Sequence, residues 1–238
     1  MIGRRGFAGL VLVGAAALAV GGCRAGESPS YNYKLTVRVE TPAGLRSAYS
    51  VIGVKFYAPM KGFEALSGGS VKARGEAVAL DLPNGKTLFV LLSSATSGDW
   101  AGHAHWRNYP KRSDGFATSA DYYQALASDT SVYPVKRWVE MPNGSKRDNY
   151  PLLVTFSDIN DPTSVELVDP DDLATTFGPG YALKDMTVQV THEAVTTGIE
   201  KRLLNFGIEV GNSLDTDFAP TTQPTLAQRL GYNDFVRR

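Results

Sequence analysis

The chain is poor in cysteine. Cys23 is the single one in 238 residues, so no disulfide can close within the chain and burial of apolar surface has to supply its stability. It has no excess of one charge, with 24 Lys and Arg against 24 Asp and Glu. That balance lacks the basic footprint of a nucleic-acid binder, and by composition it also argues against a polybasic patch for membrane surfaces. No apolar run reaches the roughly 20 residues that a membrane-spanning helix takes. Motifs are missing too: there is no Gly-x-Ser-x-Gly elbow, no Walker loop, no Gly-x-Gly-x-x-Gly after a strand, and no cysteine placed to act as a nucleophile. No cofactor is implied. Paired carboxylates of the glycosidase kind stay open, because such a pair is set in space rather than in sequence.

What is present begins at the N-terminus. Arg4 and Arg5 precede an apolar run over residues 7–20, followed by Gly21, Gly22 and Cys23. A positive start, a short apolar stretch and a small-residue cleavage zone make residues 1–22 a secretory signal peptide. An ordinary signal peptide with a chance cysteine is the alternative, but a leftover cysteine in an exported chain calls for modification or intermolecular pairing. Val20-Gly21-Gly22-Cys23 resembles the lipobox of bacterial lipoproteins. That resemblance implies cleavage before Cys23, a diacylglycerol on its thiol and, in many organisms, a further acyl chain on its amine. Two or three chains attach stably where one alone is marginal. Gly3 and Gly6 do not supply the partners of a twin-arginine motif, so the general secretory route is expected. Arg24 stands where an aspartate would signal inner-membrane retention, which favours the outer membrane. The expectation is a cell-envelope lipoprotein, lipid-anchored and facing the periplasm. Cleavage removes Arg4 and Arg5 and no acid, leaving a net charge near −2.

Residues 23–30 are small and polar and read as a tether to a β-rich domain over residues 31–206. Residues 31–41 alternate five apolar with five polar side chains, the clearest strand in the chain. After Pro42-Ala43-Gly44, residues 45–58 form a second strand. Ile52, Val54 and Phe56 make its apolar face, and Gly53 is the expected place of a bulge. Further strands are expected over residues 71–82, 87–93, 150–157, 164–168 and 183–192. Residues 87–93 are apolar on both faces and read as a central strand. Helices are expected over residues 120–128, capped by Ser119, and 169–178, capped by Asp169. The C-terminal residues 207–238 are polar, contain Pro220 and Pro224, and read as a peripheral segment with a short helix over residues 225–230. The expected fold class is mainly β (α+β is the alternative), an antiparallel sandwich-like domain with a few short helices.

Residues 94–149 differ in character, with few apolar runs and many aromatics, and are expected to be long loops and irregular edges around one short helix. Trp100, Trp106, Tyr109 and Trp138 are the candidate ligand-binding residues, with Tyr122, Tyr123 and Tyr133 nearby. Aromatics on loops supply stacking area at low entropic cost, but they also close the core of a sandwich that has no disulfide. His103-Ala104-His105 would place two imidazoles on one face of a strand, with Asp99 and Asp114 near in sequence. A zinc site needs a third protein ligand, and His192 is the one histidine left. Asp158, Asn160, Asp161, Asp169, Asp171 and Asp172 lack the glycine of a calcium loop and are explained by turns and caps.

Three stretches, YKLTVRVETPAGLRSAYSVIGV, LLVTFSDINDPTSVELVDPDDLATTFGPGYALKDMTVQVT and TTGIEKRL, together resemble a group of bacterial proteins with no established activity. The likeness covers most of residues 33–204 and implies one domain, with no function to carry over. The functional expectation is therefore a non-catalytic binding or envelope-accessory lipoprotein with an envelope protein or a glycan as its ligand. The alternative is a hydrolase acting on envelope material with its site near His103 and His105.

Overall fold

Alternation decides the first two strands. β1 (Ser30–Glu40) sends Tyr31, Tyr33, Leu35, Val37 and Val39 to the interior, and β2 (Arg46–Tyr57) pairs with it antiparallel and adds Ile52, Val54 and Phe56 to the same face. The computed structural model describes residues 29–58, 69–111, 115–140, 144–203, 213–215 and 223–238. Residues 1–22, expected to be a signal peptide, lie outside these, as do Cys23, Asp114 and most of residues 207–222.

β3 (Ser70–Glu76) and β4 (Val78–Asp81) follow, split at Ala77 where a single strand over residues 71–82 was expected. β5 (Thr87–Val90) is succeeded by helices α1 (Trp100–Asn108) and α2 (Ser119–Ser128). Three short strands, β6 (Val132–Pro134), β7 (Trp138–Glu140) and β8 (Lys146–Asp148), complete the middle of the chain. Then come β9 (Leu153–Phe156), β10 (Val165–Leu167), α3 (Leu173–Phe177) and β11 (Ala182–Thr191). The chain closes with α4 (Leu226–Arg229), α5 (Tyr232–Phe235) and β12 (Val236–Arg237).

The domain is mainly antiparallel β, as its sequence pattern predicts. A six-stranded sheet has the order β12-β3-β2-β1-β11-β6, a four-stranded sheet the order β10-β9-β5-β4, and β7 and β8 form a separate hairpin. The main core lies between the inner face of the large sheet, one face of the small sheet, and α1 and α2. β5 sits inside the small sheet, and its side chains divide: Leu88 and Val90 join the main core, while Phe89 joins a second one. Its two-faced apolar sequence is the direct expression of that position.

The second core corrects the reading of the C-terminus. Ala227, Leu230, Tyr232, Phe235 and Val236 pack with Phe89, Val154 and Phe156 on the far face of the small sheet, and β12 extends the large sheet by pairing with Gly75 and Glu76. Residues 226–238 are thus structural, not peripheral. Gly53 marks no bulge, since it pairs in register with both Asn32 and Arg74. A Cβ there would lie 3.1 Å from Asn32 Oδ1 and 3.1 Å from Val195 Cγ2, so the glycine serves close approach of side chains from three directions. The helix starts shift slightly: Thr118, not Ser119, accepts the Asp121 N–H, and α3 starts beyond Asp172, whose carboxylate accepts from Thr175 N, while Asp169 stabilises the preceding turn.

Candidate functional site

The main departure from expectation is α1. Its buried side is Trp100, Ala101, Ala104, His105 and Asn108, spaced as a helical stripe. Apart from Trp100, small and polar residues make up that stripe, so it carries little of the hydrophobic signal by which a helix is read from sequence. Side-chain hydrogen bonds hold it instead. Trp100 Nε1 donates to Asn149 O at 2.7 Å, and Tyr33 OH donates to Ala101 O at 2.7 Å. Asn108 Nδ2 donates to Ala104 O at 2.7 Å, while Asn108 Oδ1 accepts from Lys136 N at 2.8 Å.

The helix separates the two histidines. Residues two apart on a helix point to different sides, so the strand geometry that would join the imidazoles is absent. His105 is fully buried among Tyr31, Tyr33, Tyr109 and Tyr133, and neither ring nitrogen meets a hydrogen-bond partner. Burial pushes its pKa down to about 4, against a smaller upward pull from Asp129. His103 is partly exposed, and its Nδ1 lies 3.0 Å from Asp99 O. No group of three metal-ligating side chains converges among the described residues. The acids around residues 158–172 serve their own turns: Asp158 accepts from Asn160 N, Asp161 from Thr163 N and Asp169 from Asp171 N.

The four candidate aromatics divide into two pairs. Trp100 is 0 % exposed and Tyr109 is also buried, so both are core residues, out of reach of a ligand. Trp106 and Trp138 are 37 % and 52 % exposed. Trp138 stands on the β7–β8 hairpin, beside Arg137, whose guanidinium lies 5.3 Å from its ring centroid and 5.0 Å from that of Tyr150. Trp106 lines a trough of about 440 Å3 on the other side of α1.

Helical spacing builds that trough. Asp99, His103 and Trp106 follow one another up one face of α1, and Ser119, Tyr122 and Tyr123 up the facing side of α2. Phe56 of β2 and Val71 of β3 close the floor. Phe56 and Tyr123 stack with centroids 4.3 Å apart and planes at 14°, and His103 meets Trp106 edge-on at 6.0 Å. Burial pushes the Tyr123 hydroxyl up to about 12 and that of Tyr122 upward as well, so both stay neutral donors at ordinary pH. Phe56, Tyr122 and Tyr123 are themselves buried, so the trough offers one partly exposed aromatic face, that of Trp106, with the His103 imidazole, the Ser119 hydroxyl and the Asp99 carboxylate beside it. Sequence reading singled out Trp106 but had no means to join it to Phe56, which lies fifty residues earlier on another element.

The chain matches no protein-family model, no curated protein and no solved structure. The likeness drawn from the three sequence stretches gains no activity from these comparisons.

Proposed function

We propose that this chain is a lipoprotein acylated at Cys23, tethered to the envelope on the periplasmic side, that acts as a binding module through the trough between α1 and α2. The observation that carries the proposal is the trough's lining: Trp106, partly exposed, in a concave site whose base is formed by the buried Phe56, Tyr122 and Tyr123 together with Val71, with Asp99 and His103 beside it. A concave site that sets an aromatic side chain beside a few placed polar groups is a common form of small-ligand pocket. Aromatic faces stack on the C–H faces of sugars while the polar rim takes hydroxyls, so an envelope glycan is the ligand class that fits best. The separation of His103 from His105 leaves the hydrolase reading without a shared pair of imidazoles.

The test is binding of soluble cell-wall glycan fragments followed by tryptophan fluorescence and calorimetry. Trp106→Ala is expected to weaken binding by about 10-fold or more, an effect of the size seen when a central aromatic contact is removed. Trp138→Ala, on the separate hairpin, is expected to leave it unchanged. Equal affinity in wild type and Trp106→Ala would remove the trough as the site. For the anchor, the mass of the membrane-purified chain is compared with Cys23→Ala, which should lose both the acyl increment and membrane attachment.

A further inference from the structure

A second cleft, of about 660 Å3, opens along the edge of β3. β12 covers only Gly75 and Glu76 of that strand, so residues 70–74 have no further strand beside them among the described residues. Five basic residues line the cleft, Lys55, Lys72, Arg74, Arg237 and Arg238, against one acid, Asp99. Asp99 is taken by Arg237 at 2.7 Å, and Arg238 pairs with Glu200. Lys55, Lys72 and Arg74 remain, all exposed, and no carboxylate of the described residues is within ion-pair distance of them.

Their placement goes against local stability. Lys55 stands directly opposite Lys72 in the β2–β3 pair, and Arg74 is two residues along on the same face. Like charges directly opposite one another weaken a strand pair. Guarding an edge against stray pairing would account for Lys72 and Arg74. It does not account for Lys55, on a strand flanked on both sides by β1 and β3. The ring of Tyr57, itself exposed, lies 5.1 Å from Lys55 Nζ and 5.9 Å from Lys72 Nζ. An exposed tyrosine flanked by lysines is the side-chain pairing found at membrane–water interfaces.

The chain enters the domain at this same place. Ser30 pairs with Lys55, which pairs with Lys72, so the three form one row across the sheet. Seven residue steps separate Cys23 from Ser30, and fully extended they span about 25 Å at most. We infer that this face rests on the membrane that holds the chain, with Lys55, Lys72 and Arg74 on the phosphates of anionic lipids and Tyr57 at headgroup depth. The inference builds on the anchor at Cys23 proposed above. The near-zero net charge concealed the patch because the compensating acids lie elsewhere, for example Asp158, Asp161, Asp169 and Asp171 in the turns flanking β10. Asp99 and Val71 line both the cleft and the trough, which puts the ligand site at the rim of the membrane-facing surface.

The experiment uses the full chain purified from membranes, its mass measured for acylation, then reconstituted into vesicles of phosphatidylcholine alone or mixed with phosphatidylglycerol. Amine labelling of Lys55 and Lys72 is expected to fall about 5-fold in the anionic vesicles, the effect of one cation near such a surface, and to recover at high salt. Lys184, paired with Glu40 at the far end of the sheet, should label equally in both. An acylated chain whose Lys55 and Lys72 label alike in both vesicles overturns the inference. So does equal protection by inorganic phosphate with neutral vesicles, which would assign the cleft to a soluble anion. A chain without an acyl group would end the anchor alone. The cleft is then judged by pelleting with anionic vesicles: binding lost in Lys55→Glu/Lys72→Glu sustains it, and no binding ends it.

Discussion

At the scale of single residues, His105 shows most clearly how burial rather than type decides a role. A histidine two residues from another invites a metal reading against that of a loop histidine, and here His105 is neither: it fills an aromatic nest in its neutral form. The unfolded chain protonates this imidazole near pH 6.5 and the folded chain only near 4, so its contribution to stability is whole above 6.5 and is lost as pH falls towards 4. The two pKa values differ enough to make that loss up to about 3 kcal/mol. Urea denaturation at pH 7 and pH 4.5 should show a smaller acid loss in His105→Leu than in the wild type. Trp100 tells the same story with aromatic chemistry. Its indole is both core filler and donor to Asn149, which no count of aromatics in the sequence distinguishes from the half-exposed Trp106.

At the scale of elements, the segment after β11 is held across the outer face of the large sheet by a few polar contacts. Val51 and Thr196 exchange two hydrogen bonds, Thr196 N donating to Val51 O at 3.0 Å and Val51 N donating to Thr196 Oγ1 at 2.8 Å. The carboxylate of the buried Glu76 accepts from Gly198 N and Ile199 N, both at 2.8 Å. Burial raises the Glu76 pKa, while these two N–H groups pull it back down. Glu76→Ala strands two amide donors, one of them buried, and should cost about 1–3 kcal/mol. The expected signature is a lower urea midpoint with faster hydrogen exchange at the Ile199 amide. An unchanged midpoint would mean that the segment is held by its apolar contacts alone. Gly75 makes this arrangement possible, since its φ of 139° turns β3 where a Cβ would lie 3.1 Å from Val51 O.

At the scale of the whole molecule, the domain has two cores that share one sheet, and the second is completed by the last residues of the chain. Phe235 is fully buried against Phe89 and Phe156, with centroids at 5.8 and 6.0 Å. Phe235→Ala should cost about 3–5 kcal/mol, a loss of the size typical for a buried aromatic. It should also loosen β12, and with it Arg237 at the wall of the basic cleft. Thermal unfolding checks the first effect, and exposure of Arg237 to a guanidine-specific label checks the second.

The periodic signals were legible from the chain alone. β1, β2, β5, β9 and β11 lie where alternation or continuous apolar runs placed them, because a strand's period of two survives any tertiary context that buries one face. The antiparallel β class followed from them. The short helix α2 was legible too, through its run of helix formers, although its cap is Thr118 and not the expected Ser119. Tertiary structure alone decided three things. It made α1 a helix, since its stripe of Trp, Ala, His and Asn is stabilised by partners 49 and 68 residues away rather than by its own hydrophobic pattern. It drew a polar C-terminal segment into a core, because five apolar side chains between Ala227 and Val236 outweigh the polar residues between them once a sheet face is there to receive them. And it gathered Lys55, Lys72 and Arg74 into one patch with no ion-pair partner among the described residues, since cross-strand register, invisible in a balanced composition, sets which charges become neighbours.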